Sequence, residues 1–179
     1  MSYATYFESF DVKELLEQFP LDQAFTDKFK AISREQLRAE QNEKFLRCVA
    51  RAWQIPFYQR LWGNAGIKPE DIRSLDDITK LPVFGKHEIM ASVEACPPLG
   101  DFHGWQDGTE AGSKPLVFHT TSGTTGRPQP LVFSPHSREV QSLLLARLYR
   151  WQGMAPGDVV HSVYGHGMIN GGHYVREAI

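Results

Sequence analysis

The stretch Thr120-Thr121-Ser122-Gly123-Thr124-Thr125-Gly126-Arg127-Pro128 is where this sequence concentrates chemistry, with five hydroxyl side chains and two glycines in seven residues ahead of a cation. Wrapping phosphate oxygens calls for such a set: backbone N–H groups free to turn toward an anion, hydroxyls that donate, and a guanidinium that pairs with charge. Glycine supplies the positive-φ turns and the close backbone approach. The bland alternative is a Gly/Thr/Ser surface loop, since turns are commonly built from these residues.

Spacing removes other phosphate and nucleophile motifs. A Walker A loop would place Lys-Ser or Lys-Thr after a glycine and run into a helix, whereas here a β-prone run follows. No G-x-G-x-x-G dinucleotide fingerprint is present. A nucleophile elbow would read G-x-S-x-G, but Ser122 sits between Thr121 and Gly123, so a hydrolase centred on Ser122 is disfavoured. His161, His166 and His173 lack the i, i+4 spacing of a helical zinc pair, which argues against a metal site there. Lys86-His87-Glu88 reads as a solvated turn.

The elements that must hold this loop follow from local signals. Asp11 with Glu14 resembles a capping box opening a short helix that closes near Phe19-Pro20. Ser33 with Gln36 repeats the arrangement ahead of a longer helix to about Trp53, whose Phe45, Leu46, Val49, Ala52 and Trp53 form one apolar stripe. Pro56, Gly63-Asn64 and Gly66 break the pattern, Ser74 to Asp77 reads as another helix start, and Leu81 to Lys86 as a connector. Glycines and prolines between Cys96 and Lys114 mark the best boundary. Beyond it, Leu116–Thr120 and Leu131–Phe133 read as strands flanking the loop. Ser134-Pro135 heads a helix ending at Gly153, with Val140, Leu144, Leu148 and Trp151 on one face. Val159–Tyr164 reads as a third strand, which makes a strand–helix–strand unit with a right-handed crossover. The expected fold is α/β, a helical region over 1–110 followed by the start of an α/β subdomain with an incomplete sheet over 111–179.

Composition narrows the partners. Nineteen Lys+Arg against 21 Asp+Glu give a formal charge of −2, which offers no positive field for nucleic acid or anionic membranes. Cys48 and Cys96 are too few for a disulfide framework and suit a reducing compartment. Residues 1–20 carry Glu8, Asp11 and Glu14 where a secretory leader needs basic charge, and no apolar run reaches the roughly 18 residues of a membrane span. The expectation is a soluble cytoplasmic protein.

With strands on both sides, T-S-G-T-T-G-R-P resembles the phosphate-binding signature of the adenylate-forming superfamily of acyl- and aryl-CoA ligases. Pro56-Phe57-Tyr58, Gly66-Ile67-Lys68-Pro69-Glu70-Asp71-Ile72, and Leu75-Asp76-Asp77 through Leu81-Pro82 and Lys86 are similar to the N-terminal region of its phenylacetate-CoA ligase branch. So are Val159-Val160-His161 and Tyr164-Gly165-His166-Gly167 before Gly171-Gly172. The likeness covers roughly residues 55–179. Gln129 stands where many superfamily members have a lysine that the branch also lacks, and His166 replaces a second aromatic, which suits a more polar acyl group.

The resemblance implies ATP, Mg²⁺ and coenzyme A, with a small carboxylic acid as substrate. An aryl acid such as phenylacetate or benzoate comes first, a small hydroxylated or branched acid second. It implies that Thr121, Ser122, Gly123, Thr124, Thr125, Gly126 and Arg127 cradle the ATP phosphates and that Tyr164, Gly165, His166 and Gly167 line the acyl pocket. A homodimer stays open. The catalytic lysine and the acidic motif of the family map to no residue here and are expected beyond Ile179, together with the rest of the large domain and a lid domain. The expectation is therefore the N-terminal part of a longer ligase, inactive alone. The alternatives are a non-enzymatic nucleotide- or phosphate-binding module and a structural domain.

Overall fold

The structure, a computed structural model, describes residues 4–105, 114–123 and 126–179. It contains helices α1 (Val12–Gln18), α2 (Gln23–Ala31), α3 (Arg34–Ala52), α4 (Pro56–Asn64), α5 (Lys86–Ala95), α6 (Pro135–Trp151) and α7 (Asn170–Ala178), with strands β1 (Val117–Thr120) and β2 (Pro130–Phe133) between α5 and α6. Two compact units result: residues 31–111, and residues 1–30 together with 112–179. Among the described residues no helix is long and apolar enough to cross a membrane.

The 31–111 unit is helical. Ser33 and Gln36 form the full capping box of α3, the Gln36 amide donating to Ser33 Oγ at 3.1 Å and the Ser33 amide to Gln36 Oε1 at 2.9 Å. The apolar stripe then buries Val49 against Trp62 and Ile72, with the rings of Trp53 and Trp62 at 5.0 Å. Pro56 starts α4 from its first position, where a missing N–H costs nothing. Ser74 and Asp77 cap a 3₁₀ turn over Leu75–Lys80. Lys86-His87-Glu88, read as a turn, is instead the first turn of α5, and the Glu88 carboxylate accepts from the Gly85 amide at 2.8 Å. A second knot joins Arg60 to Asp101 by two hydrogen bonds of 2.5 and 2.9 Å, and Ser92 Oγ donates to the same carboxylate at 2.7 Å. These partners hold the Asp101 carboxyl below its ordinary range, the Arg60 bond first.

The other unit begins with an Asp11 cap on α1, the carboxylate accepting from the Lys13 and Glu14 amides. The sequence reading keeps residues 1–30 with the helical region, whereas in the structure they pack with 112–179. Arg147 of α6 accounts for much of this. Its guanidinium lies 4.0 Å from the Phe25 ring centre and 5.6 Å from Phe19, and its Nε donates to the Pro20 carbonyl at 2.9 Å. Tyr6 adds a 2.6 Å bond to Glu139, and burial followed by that bond pushes its phenol pKa far up.

β1 and β2 pair antiparallel, Val117 opposite Phe133 through Thr120 opposite Pro130. Ser134 caps α6 through a 3.1 Å bond from the Ser137 amide, and Pro135 is its first residue. One expectation needs correction here. Val159–Tyr164 is not a strand: Val159 is 98% and Val163 89% exposed, and no ladder partner lies beside them among the described residues. The return crossover arrives later, where Ile169 bridges Thr120 in parallel. On α6 the apolar row is not the packed face. Leu144, Leu148 and Trp151 are about half exposed, and the buried positions are Pro135, Arg138 and Ser142, because that face meets α7.

Candidate functional site

The strand–loop–strand arrangement places the 121–129 loop at the turn end of the hairpin. Its base is closed by Thr121: the backbone amide donates to the Gln129 carbonyl at 3.0 Å and the hydroxyl oxygen accepts from the Gln129 amide at 3.0 Å. Sequence reasoning treats Gln129 only as a departure from lysine; its backbone is what ties the loop shut. The Thr121 hydroxyl keeps its own proton free to donate.

Inside the loop, Gly123 has φ +69° and Gly126 φ +130°, conformations that favour glycine. The Gly126 amide donates to the Gly123 carbonyl at 3.0 Å, which makes a tight turn. A Cβ on Gly123 would stand 2.9 Å from Pro128 Cγ and 3.0 Å from the Gly126 carbonyl oxygen, so Pro128 packs into space that only glycine leaves. Ser122, Gly126 and Arg127 are exposed around this turn. Thr124 and Thr125 lie outside the described residues.

The second predicted segment reaches the root of this loop. The Thr120 amide donates to the Met168 carbonyl at 2.8 Å, so the chain leaving Gly167 runs beside the residue that opens the loop. Tyr164 through Gly167 are exposed on their outer side and form an open wall over the start of α7. Gly172 makes that approach feasible: a Cβ there would meet the Gly165 carbonyl oxygen at 2.2 Å. His173 lies in the same first turns of α7, with Nε2 2.9 Å from the Gly167 carbonyl. A carbonyl only accepts, so Nε2 carries the proton.

Two further residues, His119 and Arg138, contact α7 across long sequence separations. His119 of β1 is 7% exposed, its ring 4.9 Å from His173, and its Nδ1 has no partner. Burial, then the Arg138 charge and His173, push its pKa below the ordinary 6.5 and keep the imidazole neutral near pH 7. Arg138 is 1% exposed. Its Nη1 donates to Asn170 Oδ1 at 2.5 Å and Gln141 Oε1 at 3.2 Å, while Nη2 stands 2.7 Å from Glu177 Oε2 without a well-directed hydrogen bond. An arginine inside an amphipathic helix pattern carries no signal that it is buried. His166, His173 and His119 gather here, with His166 and His173 centred 5.6 Å apart, yet among the described residues no group of three His, Cys, Asp or Glu is arranged to hold a metal ion.

No protein-family profile matches the chain. Among curated proteins it is 30% identical over 149 residues to a phenylacetate-coenzyme A ligase of Thermus thermophilus, covering 83% of this chain and 31% of that protein. A phenylacetate-coenzyme A ligase of Aromatoleum evansii is 30% identical over 151 residues, covering 82% and 32%. In fold, the chain superimposes on an open conformation of 2-hydroxyisobutyryl-CoA ligase in complex with 2-HIB-AMP and CoA, with a TM-score of 0.73, 25% identity, and coverage of 82% of this chain and 33% of that one. The same ligase in its thioesterification state gives a TM-score of 0.67 at 30% identity. The chain spans about a third of the length of the curated relatives it matches. The likeness is thus to phenylacetate-CoA ligases in sequence and to an acyl-CoA ligase in fold, both consistent with the adenylate-forming superfamily.

Proposed function

We propose that this chain carries the phosphate loop and part of the acyl wall of an ATP-dependent acid–CoA ligase. In this reading a carboxylate oxygen attacks the α-phosphorus of ATP, forming the acyl-adenylate and releasing pyrophosphate. The coenzyme A thiolate then attacks the acyl carbon, forming the thioester and releasing AMP, with the thiol proton passing to solvent or base. The observation that carries the proposal is the hairpin turn itself: Gly123 and Gly126 at positive φ between two paired strands, with Ser122 and Arg127 exposed around it. Ser122, Gly123, Gly126 and Arg127, with Thr121, Thr124 and Thr125, form the phosphate cradle, whose fixed donors stabilise the charge that develops on the leaving pyrophosphate. Mg²⁺ would accompany the nucleotide phosphates in this reading, with carboxylate support from the family's acidic motif, which maps to no residue here; among the described residues no group of three His, Cys, Asp or Glu could hold it.

Tyr164, Gly165, His166 and Gly167 stand beside the acyl group. An aryl acid such as phenylacetate or benzoate is the first substrate class, supported by the named relatives. A small hydroxylated acid is the second, favoured by the exposed His166 imidazole, which can hydrogen-bond a hydroxyl where an aromatic ring would only stack. The free thiols of Cys48 and Cys96 agree with a cytoplasmic setting.

The test is acid-dependent exchange of labelled pyrophosphate into ATP by the full-length protein, across a panel of aryl, hydroxylated and branched acids. Exchange that needs one of these acids supports the ligase. ATP binding with no acid able to drive exchange overturns it in favour of a nucleotide-binding module, and no ATP binding leaves a structural domain.

A further inference from the structure

The wall residues Tyr164–Gly167 have no regular secondary structure of their own, and their outer side faces solvent. Something else must fix where they stand. Three contacts reach them from the neighbouring elements. Met168 is pinned to β1 by the Thr120 amide at 2.8 Å. Gly165 rests against the missing side chain of Gly172. The remaining contact is the side chain of His173, whose Nε2–H donates to the Gly167 carbonyl at 2.9 Å while its ring meets the His166 ring edge-on at 5.6 Å and 84°. The first two act on backbone; among the described residues it is His173 that touches both the Gly167 carbonyl and the His166 ring.

We infer that His173 is the positioning residue of the acyl wall, setting the orientation of His166 and the Gly167 carbonyl and, through them, the affinity for the acid but not for ATP. This rests on the ligase reading. The anchor behind it is rigid. The His173 ring also meets the buried imidazole of His119 at 4.9 Å, so it touches both a core residue and the wall. Helix α7 cannot slide, because Arg138 reaches its first residue, Asn170, and its last turn at Glu177. The phosphate loop is tied separately, through Thr121 and Gln129, and makes no use of His173. The two halves of the site are therefore separable by substitution.

The experiment compares His173→Phe, which keeps ring volume without the donor, with His173→Gln, whose amide nitrogen reaches near the Nε2 position. His173→Asn, too short to reach, stands in should the Phe variant fail to fold. In pyrophosphate exchange by the full-length protein with phenylacetate and 2-hydroxyisobutyrate as probes, the Phe variant should raise KM for the accepted acid about fivefold to tenfold, the worth of one hydrogen bond. KM for ATP should stay within about twofold, and Gln should restore most of the loss. Equal changes in both KM values, an unchanged acid KM, or no rescue by Gln overturns the inference. Amide hydrogen exchange over residues 165–168 is the second readout, faster in the Phe variant and near the parent rate in Gln; equal rates overturn the inference whatever the kinetics. Absence of acid-driven exchange in the unsubstituted protein sinks the ligase reading instead, and the amide-exchange arm then decides by itself whether His173 holds the wall.

Discussion

Arg138 of α6 and Glu177 of α7 stand 2.7 Å apart, the arginine side chain 2% exposed and the carboxylate 34% exposed. A guanidinium taken out of water needs partners for its donors and its charge; here Asn170 and Gln141 accept from Nη1, and the Glu177 carboxylate beside Nη2 balances the charge. Ser142 is drawn into the same network, 3.4 Å from Glu177 Oε2.

Replacing Arg138 by Met should therefore destabilise this unit by about 2–3 kcal/mol, somewhat under the cost of breaking a wholly buried pair because Glu177 is partly hydrated. Urea denaturation measures it. The double variant Arg138→Met with Glu177→Gln should recover part of the loss, since no charge is then left unpaired; simple additivity of the two losses would show that the residues do not interact.

Gly123→Ala should abolish nucleotide binding without unfolding the protein. The new Cβ meets Pro128 and the Gly126 carbonyl, and φ +69° disfavours any L-residue, so the turn must open. Titration with ATP should give at least about a tenfold loss in affinity, roughly 1.4 kcal/mol, with a melting temperature near that of the parent. Unchanged ATP affinity would remove Gly123 from the cradle.

Gly172→Ala poses a contest between two effects. Alanine in a helix gains up to about 1 kcal/mol over glycine. Against this, its Cβ would sit 2.2 Å from the Gly165 carbonyl oxygen, and overpacking of this kind costs typically about 1–3 kcal/mol. The clash wins because both sides are backbone. We expect a displaced Tyr164–Gly167 wall, seen as a rise in acid KM with ATP affinity retained.

His119 makes stability fall on mild acidification. Its folded pKa lies below 6.5, mainly through burial, so between that lowered value and 6.5 the unfolded chain binds a proton that the folded chain refuses. Stability is full above about pH 6.5 and declines as pH drops below it. Melting temperatures from pH 8 to pH 5 should show this decline, and His119→Phe should flatten it; an unaltered slope in that variant would locate the titrating group elsewhere.

What the amino-acid order determined by itself is local. The Ser33–Gln36 box, the Ser134-Pro135 helix start, and two strands enclosing a Gly/Thr/Ser loop are each read from residues a few positions apart, because their partners are i+2 to i+4 neighbours or the facing strand of one hairpin. The loop's chemistry was legible for the same reason. Tertiary structure decided the rest. Val159–Tyr164 has the composition of a strand, but a strand exists only where a neighbour completes its ladder, and the chain finds Thr120 at Ile169 instead. The sequence puts Val140, Leu144, Leu148 and Trp151 on one face of α6, but only the tertiary structure shows that Arg138 is the buried position, because Asn170 and Glu177, more than thirty residues on, meet its charge. His173 likewise acquires its role only when α7 folds back against the turn that precedes it, since a histidine donor means nothing until a particular carbonyl stands 2.9 Å away.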